Sequence, residues 1–517
     1  MIDWIATDPA TFLHGHPGLS TSILAAYFLV LCILSIYGLH RYQLVYLHHK
    51  YRHRVPKPEG RLDKQPRVTV QLPLYNEVYV VERLIDAVCR LDYPRHLLEI
   101  QVLDDSDDET RQVARRRVRH YAAKGFDIHY LRRPDREGFK AGALHYGLKK
   151  AKGEFIAIFD ADFVPHPDTL QRTLDYFSDS QVGMVQVRWD HINGDYSLLT
   201  KVQSILLDGH FVLESATRHR SGRFFNFNGT AGIWRRQAIE EAGSWQHDTL
   251  TEDLDLSYRA QLKGWKFVFI SDFTAPAEIP VDVNSFKSQQ YRWAKGSIQT
   301  ARKLLPRLLR SRLPARLKVE AFYHLTANVC YPLMVLLSLL LFPALIIRVQ
   351  HGWLELVLID LPLFAAATFS VSSFYVVSQR AVHRDWLSRL RYLPMVLSTG
   401  IGLSVNNAKA VMEGLLGIDS EFIRTPKFSI RQSGDRWTDK RYRARIGLAP
   451  LIEITLGLLF AGVIFYAFNH GHYASLPFLI LFMNGFLYIG ALSLWQPLQN
   501  LRQALLRRAA ATPQPSR

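Results

Sequence analysis

The sequence predicts an α/β domain inserted in an α-helical integral membrane protein, and three observations carry that expectation. Apolar residues gather in about five stretches long enough to cross a bilayer, four of them in the C-terminal part. Residues 67–300, between the first stretch and the second, alternate short apolar runs with longer helical patterns, the signature of βαβ units. Lys and Arg cluster at one set of stretch ends, which sets an orientation. The mean hydropathy of -0.03 is therefore the average of two unlike halves. A chain of 517 residues, 21% charged and 12% aromatic, has room for two or three domains and lacks the composition of a disordered chain. Its three cysteines, Cys32, Cys89 and Cys330, are too far apart for a disulfide framework or a Cys-based zinc site.

Residues 1–48 comprise an N-terminal segment and a first span, Leu19 to Leu39, long enough at about 1.5 Å per residue for a hydrocarbon layer of roughly 30 Å. It reads as a spanning helix rather than a signal peptide, because Asp3 and Asp8 precede it and a basic run follows. A basic linker, 49–66, leads into the α/β insert, 67–300. An amphipathic interfacial segment, 301–322, precedes a transmembrane hairpin, 323–378, with spans Tyr323 to Ile347 and Leu354 to Val377. Residues 379–446 hold an interfacial helix and a basic loop. A second hairpin, 447–496, has spans Leu448 to Phe468 and Leu476 to Trp495, and 497–517 form a basic tail. Arg41, Lys50, Arg52 and Arg54 follow the first span, Arg380 and Arg384 the third, and Arg502, Arg507 and Arg508 the last. These ends are cytoplasmic by the positive-inside rule, with the amino terminus outside and the α/β domain inside. Leu393 to Leu416 carries Asn406, Asn407, Lys409 and Glu413 and reads as the interfacial helix. The alternative is a sixth span, which would put the basic stretch Arg424 to Arg445 outside.

Within the insert, Val68 to Leu72, Ile100 to Leu103, Ile128 to Leu131 and Phe155 to Phe159 read as strands. Val80 to Arg90, Thr110 to Lys124 and Ala141 to Lys150 read as helices, and a parallel sheet with helices on both faces follows. Acidic residues end two strands: Asp104 and Asp105 after Leu103, Asp160 and Asp162 after Phe159. They gather at the carboxyl edge, where open α/β sheets bind ligands. An Asp after a strand is also an ordinary cap or turn residue, but two clusters at one edge are harder to explain that way. Asp160-Ala-Asp162 offers two hard oxygens to Mg2+ or Mn2+, cations that fill their remaining positions with phosphate oxygens and water. Thr251, Glu252 and Asp253 open another helical pattern, Leu254 to Lys263, where helix capping is a sufficient account by itself. Gln289-Gln-Tyr-Arg-Trp293 sets a guanidinium suited to pyrophosphate beside an indole on which a sugar can stack.

In order, the chain shows Leu72-Pro-Leu-Tyr-Asn-Glu77, Asp104-Asp-Ser106, Gly138-Phe-Lys-Ala-Gly142, Asp160-Ala-Asp162, Phe227-Asn-Gly-Thr-Ala-Gly232, Thr251-Glu-Asp253 and Gln289-Gln-Tyr-Arg-Trp293. Over about residues 66–430 this succession resembles the processive family 2 glycosyltransferases of the cellulose synthase superfamily. Within that group it is most similar to the cellulose-synthase-like A and C proteins, the glucomannan, mannan and β-1,4-glucan synthases, and to their bacterial relatives. The resemblance implies a GT-A fold and a nucleotide-sugar donor, UDP-glucose or GDP-mannose. It implies that Tyr75, Glu77, Asp104 and Asp105 hold the nucleoside, that Lys140, Asp160, Gln289 and Arg292 complete the nucleotide-sugar site, that Asp162 takes the metal, and that Asp253 is the catalytic base. Phe227, Asn228, Gly229, Thr230, Glu252 and Trp293 would bind the acceptor, a growing β-glycan. Arg424-Thr-Pro-Lys427 stands where related synthases carry a gating loop, so Arg424, Thr425 and Lys427 would close over the diphosphate. A juxtamembrane basic stretch on anionic lipid accounts for them equally well.

Attack of a sugar hydroxyl on an anomeric carbon needs one base and one electrophile when the leaving diphosphate requires no proton. The result is a single displacement with inversion, from an α-linked donor to a β-linked product. The expected protein is therefore an inverting hexosyltransferase that polymerises a β-linked polysaccharide and passes it through its own spans. It would sit in a bacterial inner membrane, or in a Golgi or plasma membrane if eukaryotic, with room for accessory export proteins. The same residues also suit transfer of one sugar to a lipid such as a polyprenyl phosphate or ceramide; a transporter or a basic anchor for nucleic acid is the third reading. Much of the net charge of +17 borders the membrane, and Arg115-Arg-Arg117 with Arg119 reads as a solvated helix face, so no nucleic-acid partner is expected. Gly138 to Gly142 lacks the ending of a P-loop, and the histidine pairs lack partner carboxylates at ligand spacing.

Overall fold

A computed structural model of the protein describes residues 15–349, 361–431, 434–437, 440 and 447–511. The chain forms two compact units, one of Leu47–Leu325 with Gly414–Arg445, the other of Met1–Tyr46, Thr326–Glu413 and Ile446–Arg517.

The first unit is built on a sheet of seven strands among the described residues, in the order β3-β2-β1-β4-β6-β5-β7. They are β1 (Val68–Leu74), β2 (Leu98–Asp104), β3 (Asp127–Leu131), β4 (Phe155–Ile158), β5 (Val182–His191), β6 (Gly232–Arg235) and β7 (Lys266–Ala277). The first four are mutually parallel where they pair, as the sequence predicts. On β1, Val68, Val70, Leu72 and Leu74 enter one apolar core. Thr69 and Gln71 point the other way, also buried, and bond Glu99 at 2.6 Å and Gln101 at 3.0 Å. Period-two alternation thus separates an apolar face from a satisfied polar one. The helices Val81–Val88, Thr110–Ala122 and Phe139–Lys150 connect these strands close to their expected bounds.

The sheet is mixed rather than wholly parallel, because β6 runs antiparallel to both β4 and β5. This correction matters for function. A strand running backward begins at the edge where its parallel neighbours end, so the residues before β6 are delivered to the carboxyl edge. Gly232 makes the turn into β6 possible: a Cβ there would stand 2.7 Å from the Phe227 ring and 2.9 Å from the Val185 carbonyl oxygen.

Among the described residues four helices are long and apolar enough to cross a membrane: Pro17–Tyr51, Ala315–Arg348, Ala449–Asn469 and Tyr473–Gln499. The expected span Leu354 to Val377 begins outside the described residues, and its remainder lies in the helix Leu361–Val382. Leu393 to Leu416 forms two helices, Leu393–Gly402 and Ser404–Leu416. The first packs against the helix Leu476–Ala511 through glycines. A Cβ on Gly402 would lie 2.2 Å from the Gly485 carbonyl oxygen, and a Cβ on Gly485 would lie 2.2 Å from that of Ser398. Small residues that let backbones touch are the usual means of helix packing in membranes.

Candidate active site

The carboxyl edge of the sheet opens into a cleft of about 1270 Å3, counted out to solvent. The loop after β4 forms its floor. The Asp160 N–H donates to Thr230 Oγ1 at 2.8 Å and the Ala231 N–H to the Ile158 carbonyl at 2.9 Å, so the segment leading into β6 is tied to the Asp-x-Asp loop. Asp160 Oδ1 pairs with Lys140 Nζ at 2.6 Å, and Lys140 also donates to the Gly229 carbonyl at 2.9 Å. Burial pulls the Lys140 pKa down, but Asp160, Glu252 and Asp253 outweigh it and hold the ammonium form. Asp162, nearly fully buried, pairs with Lys427 Nζ at 2.6 Å. Its backbone carbonyl accepts from Arg83 at 3.2 Å, and Arg83 pairs with buried Glu278 at 2.6 Å.

One wall is the start of the helix Glu252–Leu262. Thr251 stands at its N-cap but makes no capping bond; its Oγ1 meets Thr300 Oγ1 at 3.4 Å instead. Capping therefore does not explain the Thr-Glu-Asp run. Asp253 Oδ1 accepts the Leu254 N–H at 2.8 Å. Burial, reinforced by Glu252 and opposed by Lys140, pushes the Asp253 carboxyl up from 3.8 to about 7. Burial also raises Glu252, and it lifts Glu77 from 4.5 to about 8 against the pull of Arg424 and Lys427.

Carboxyls raised on folding favour the folded state when protonated, and that stability is lost as pH climbs through the raised values. Asp253 and Glu77 are thus expected to make the protein more heat-resistant near pH 5 than near pH 9, with the loss falling through about 7 and about 8. Thermal melts across pH check this. Asp253→Asn should flatten the slope, and an unchanged slope would count against burial as the cause.

A second wall, packed against the first, is the helix Val283–Arg310, capped by Asp282, which accepts the Ser285 N–H at 2.8 Å. Gln289, Arg292 and Trp293 share one face at helical spacing. Arg292 donates to the Ile423 carbonyl at 2.8 Å and to Thr425 Oγ1 at 3.3 Å, and its guanidinium lies 4.6 Å above the Phe422 ring. Residues 422–427 therefore run across the cleft, with Arg424 reaching Glu77 Oε2 at 3.3 Å.

Asp160 and Asp162 fit a divalent cation by their chemistry. Each already holds a positive charge, an ammonium at 2.6 Å, and both oxygens are hard. Among the described residues no three His, Cys, Asp or Glu side chains group as a metal site. A cation there takes few protein ligands and depends on a bound diphosphate for the rest.

Residues 66–296 match the protein family described as Glycosyltransferase like family 2. Glucomannan 4-beta-mannosyltransferase 1 of Oryza sativa subsp. japonica is 42% identical over 260 residues, 49% of this chain and 50% of that protein. Glucomannan 4-beta-mannosyltransferase 2 of Arabidopsis thaliana is 43% identical over 252 residues, 48% of this chain and 47% of that protein. The chain thus spans about half the length of these two curated relatives. Glucomannan 4-beta-mannosyltransferase 1 of Cyamopsis tetragonoloba is 32% identical over 445 residues, 83% of this chain and 82% of that protein. The chain belongs to glycosyltransferase family 2. A mannosyltransferase of Pyrobaculum calidifontis, solved in complex with GDP-Man and Mn2+, is 18% identical with a TM-score of 0.51, covering 78% of this chain and 99% of that one. That likeness shows a shared GT-A-like fold.

The family 2 cleft brings together Tyr75, Glu77, Asp105, Lys140, Asp160, Asp162, Asn228, Gly229, Glu252, Asp253, Gln289, Arg292, Trp293, Arg424, Thr425 and Lys427. Three expected residues do not line it. Asp104 is fully buried and accepts from Tyr130 Oη at 2.6 Å and from the Ser106 N–H at 2.9 Å, so it shapes the turn that presents Asp105. Phe227 is a core residue packed edge-on against Trp234, and Thr230 is buried beneath Asp160. Motif membership marks a stretch, while strand direction decides which side chains in it face inward.

Two features of the family 2 cleft escape sequence reading. Arg136 lies 3.3 Å above the Tyr75 ring and 4.9 Å from that of Phe139, which stacks on Phe422 at 5.8 Å. The wall is thus a ladder of cations and rings drawn from three separated segments, and no spacing signals it. Gly296 is the second. A Cβ there would stand 2.5 Å from Thr251 Cγ2 and 2.8 Å from the Thr251 nitrogen, so its absence lets the two walls meet.

Proposed function

We propose that the protein is an inverting hexosyltransferase that polymerises a β-1,4-linked polysaccharide of the mannan or glucan type from a nucleoside diphosphate sugar. The observation that carries this reading is Asp253, a half-buried carboxyl lifted to about 7, in the same cleft as the Asp160 and Asp162 pair. A base must be ionised in part at neutral pH and still want a proton, and burial gives Asp253 that character. Its Oδ1 is occupied by the Leu254 N–H, which leaves Oδ2, beside Gly229, to take the proton of the attacking hydroxyl. Lys140 holds the Asp160 loop and the Gly229 carbonyl together, so donor and acceptor sides keep a fixed spacing. Arg292, Arg424 and Lys427 place three positive charges where the diphosphate leaves. A divalent cation held by Asp160 and Asp162 would add charge stabilisation to that leaving group. Trp293 offers the apolar face on which the terminal sugar of the chain stacks.

The names of the curated relatives favour a mannosyl donor, GDP-mannose, over UDP-glucose. The basic flanks of the spans favour a cytoplasmic cleft and an external amino terminus, with the polymer leaving through the membrane. The test is a donor screen on the purified protein in lipid nanodiscs, with Mg2+ or Mn2+, followed by glycanase digestion. GDP-mannose should give a polymer that β-mannanase cuts and that chelation prevents. A product confined to one sugar on lipid overturns polymerisation, and exclusive use of UDP-glucose overturns the donor.

A further inference from the structure

We propose that His210 is a positioning residue for the acceptor: it fixes the amide of Asn228 beside Asp253, and Glu214 in turn fixes its imidazole. The inference rests on the glycosyl-transfer reading of the cleft and adds the residue that sets the acceptor's place in it.

Asn228 lines the cleft and immediately precedes Gly229, where a Cβ would stand 3.1 Å from Asp253 Oδ2. A side chain at 228 is thus within reach of the sugar whose hydroxyl Asp253 deprotonates. The Asn228 backbone N–H is spent on Gln186 Oε1 at 3.0 Å. Its Oδ1 accepts from His210 Nε2 at 2.8 Å and from Asn226 Nδ2 at 3.2 Å. With the carbonyl end held twice, the Nδ2 end, whose contact to the Asn226 carbonyl is long at 3.5 Å, is the donor offered to a sugar hydroxyl.

His210 itself does not line the cleft, so it acts through Asn228. Its other nitrogen, Nδ1, lies 2.9 Å from Glu214 Oε2, and a ring with a proton on each nitrogen donates to both oxygens. Glu214 is 3.6 Å from Arg218, which pairs with Glu320 at 2.9 Å, and both of these are buried. The relay therefore begins in the rigid interior and ends at the cleft. An independent feature marks the same place: Gly209–Ser215, which carries His210 and Glu214, is π-helical. That form is rare, sacrifices regular α-helical bonding and is frequent at functional sites.

The full-length protein in nanodiscs, supplied with GDP-mannose and β-1,4-mannotetraose, tests this. His210→Ala should raise the KM for mannotetraose about tenfold, the scale of one lost hydrogen bond to a sugar, with donor KM and melting temperature unchanged. His210→Gln, which keeps a donor, should recover part of the loss. Asn228→Ala should show the same rise, and adding His210→Ala to it should change nothing further. Additive effects of the two substitutions, or an equal rise in donor KM, overturn the relay while leaving the glycosyl-transfer reading intact. A wild-type protein that neither binds mannotetraose by calorimetry nor extends it overturns that reading and this inference together.

Discussion

Asp253→Asn is expected to lower the rate of nucleotide release by about 10³-fold, within the range that a positioned general base supplies, while leaving nucleotide binding and folding intact. The substitution keeps shape and removes only the ionisable proton site. It should not destabilise, because the carboxyl it replaces is held above its usual range mainly by burial, and a neutral amide avoids the cost of an ionised buried group. Initial rates, nucleotide affinity and a melting curve on one preparation decide the matter. Glu252→Gln gives the necessary contrast: Glu252 also lines the cleft, but the proton-accepting role is assigned to its neighbour, so a smaller loss is expected. If Glu252→Gln is the more damaging of the two, the base has been assigned to the wrong carboxylate. The kcat/KM of the unaltered protein should also rise with pH through about 7, as the base ionises, and Asp253→Asn should abolish that limb.

Gly296→Ala is expected to reduce kcat by about 10²-fold, although it lies outside the cleft lining and the change improves local helix propensity by about 1 kcal/mol. The two effects oppose one another, which makes the result informative. The new methyl would meet Thr251 Cγ2 at 2.5 Å, Oγ1 at 2.6 Å and the backbone nitrogen at 2.8 Å. The Thr251 turn must move to admit it, carrying Glu252 and Asp253 away from the loop at Gly229, and misplacement on the ångström scale costs about that factor. Thr251→Ala removes two of the three clashing atoms, so the double variant should recover part of the activity. A stable Gly296→Ala protein with ordinary turnover would show that the two walls have slack, contrary to the packing described.

Sequence periodicity and carboxylates at strand ends were enough to place β1 to β4 and the two Asp clusters, because alternating buried residues and Asp after a strand are local signals. What stayed hidden depends on tertiary direction. β6 has four residues, too short for periodicity to register, and yet its antiparallel course decides that Asn228 and Gly229 face the cleft while Phe227 and Thr230 do not. Asp104 and Asp105 are indistinguishable in sequence; only the pairing with Tyr130 shows that the first is structural. His210 and Gly296 act through partners at Asn228 and Thr251, and a contact between remote positions leaves no trace in spacing. Leu393 to Leu416 is legible as helical but not as two helices, because the break at Leu403 falls between two helix-compatible runs.

The glycine contact between Gly402 and Gly485 has a consequence for biogenesis. The helix Leu393–Gly402 precedes the helix Leu476–Ala511 in the chain, so until the later helix is made the face that receives Gly485 is uncovered. That face includes Ser398 and Thr399, polar residues buried in the finished protein. A chain cut before Leu476 would leave that face uncovered. The helix that carries Gly485 is therefore what covers the groove beside Gly402.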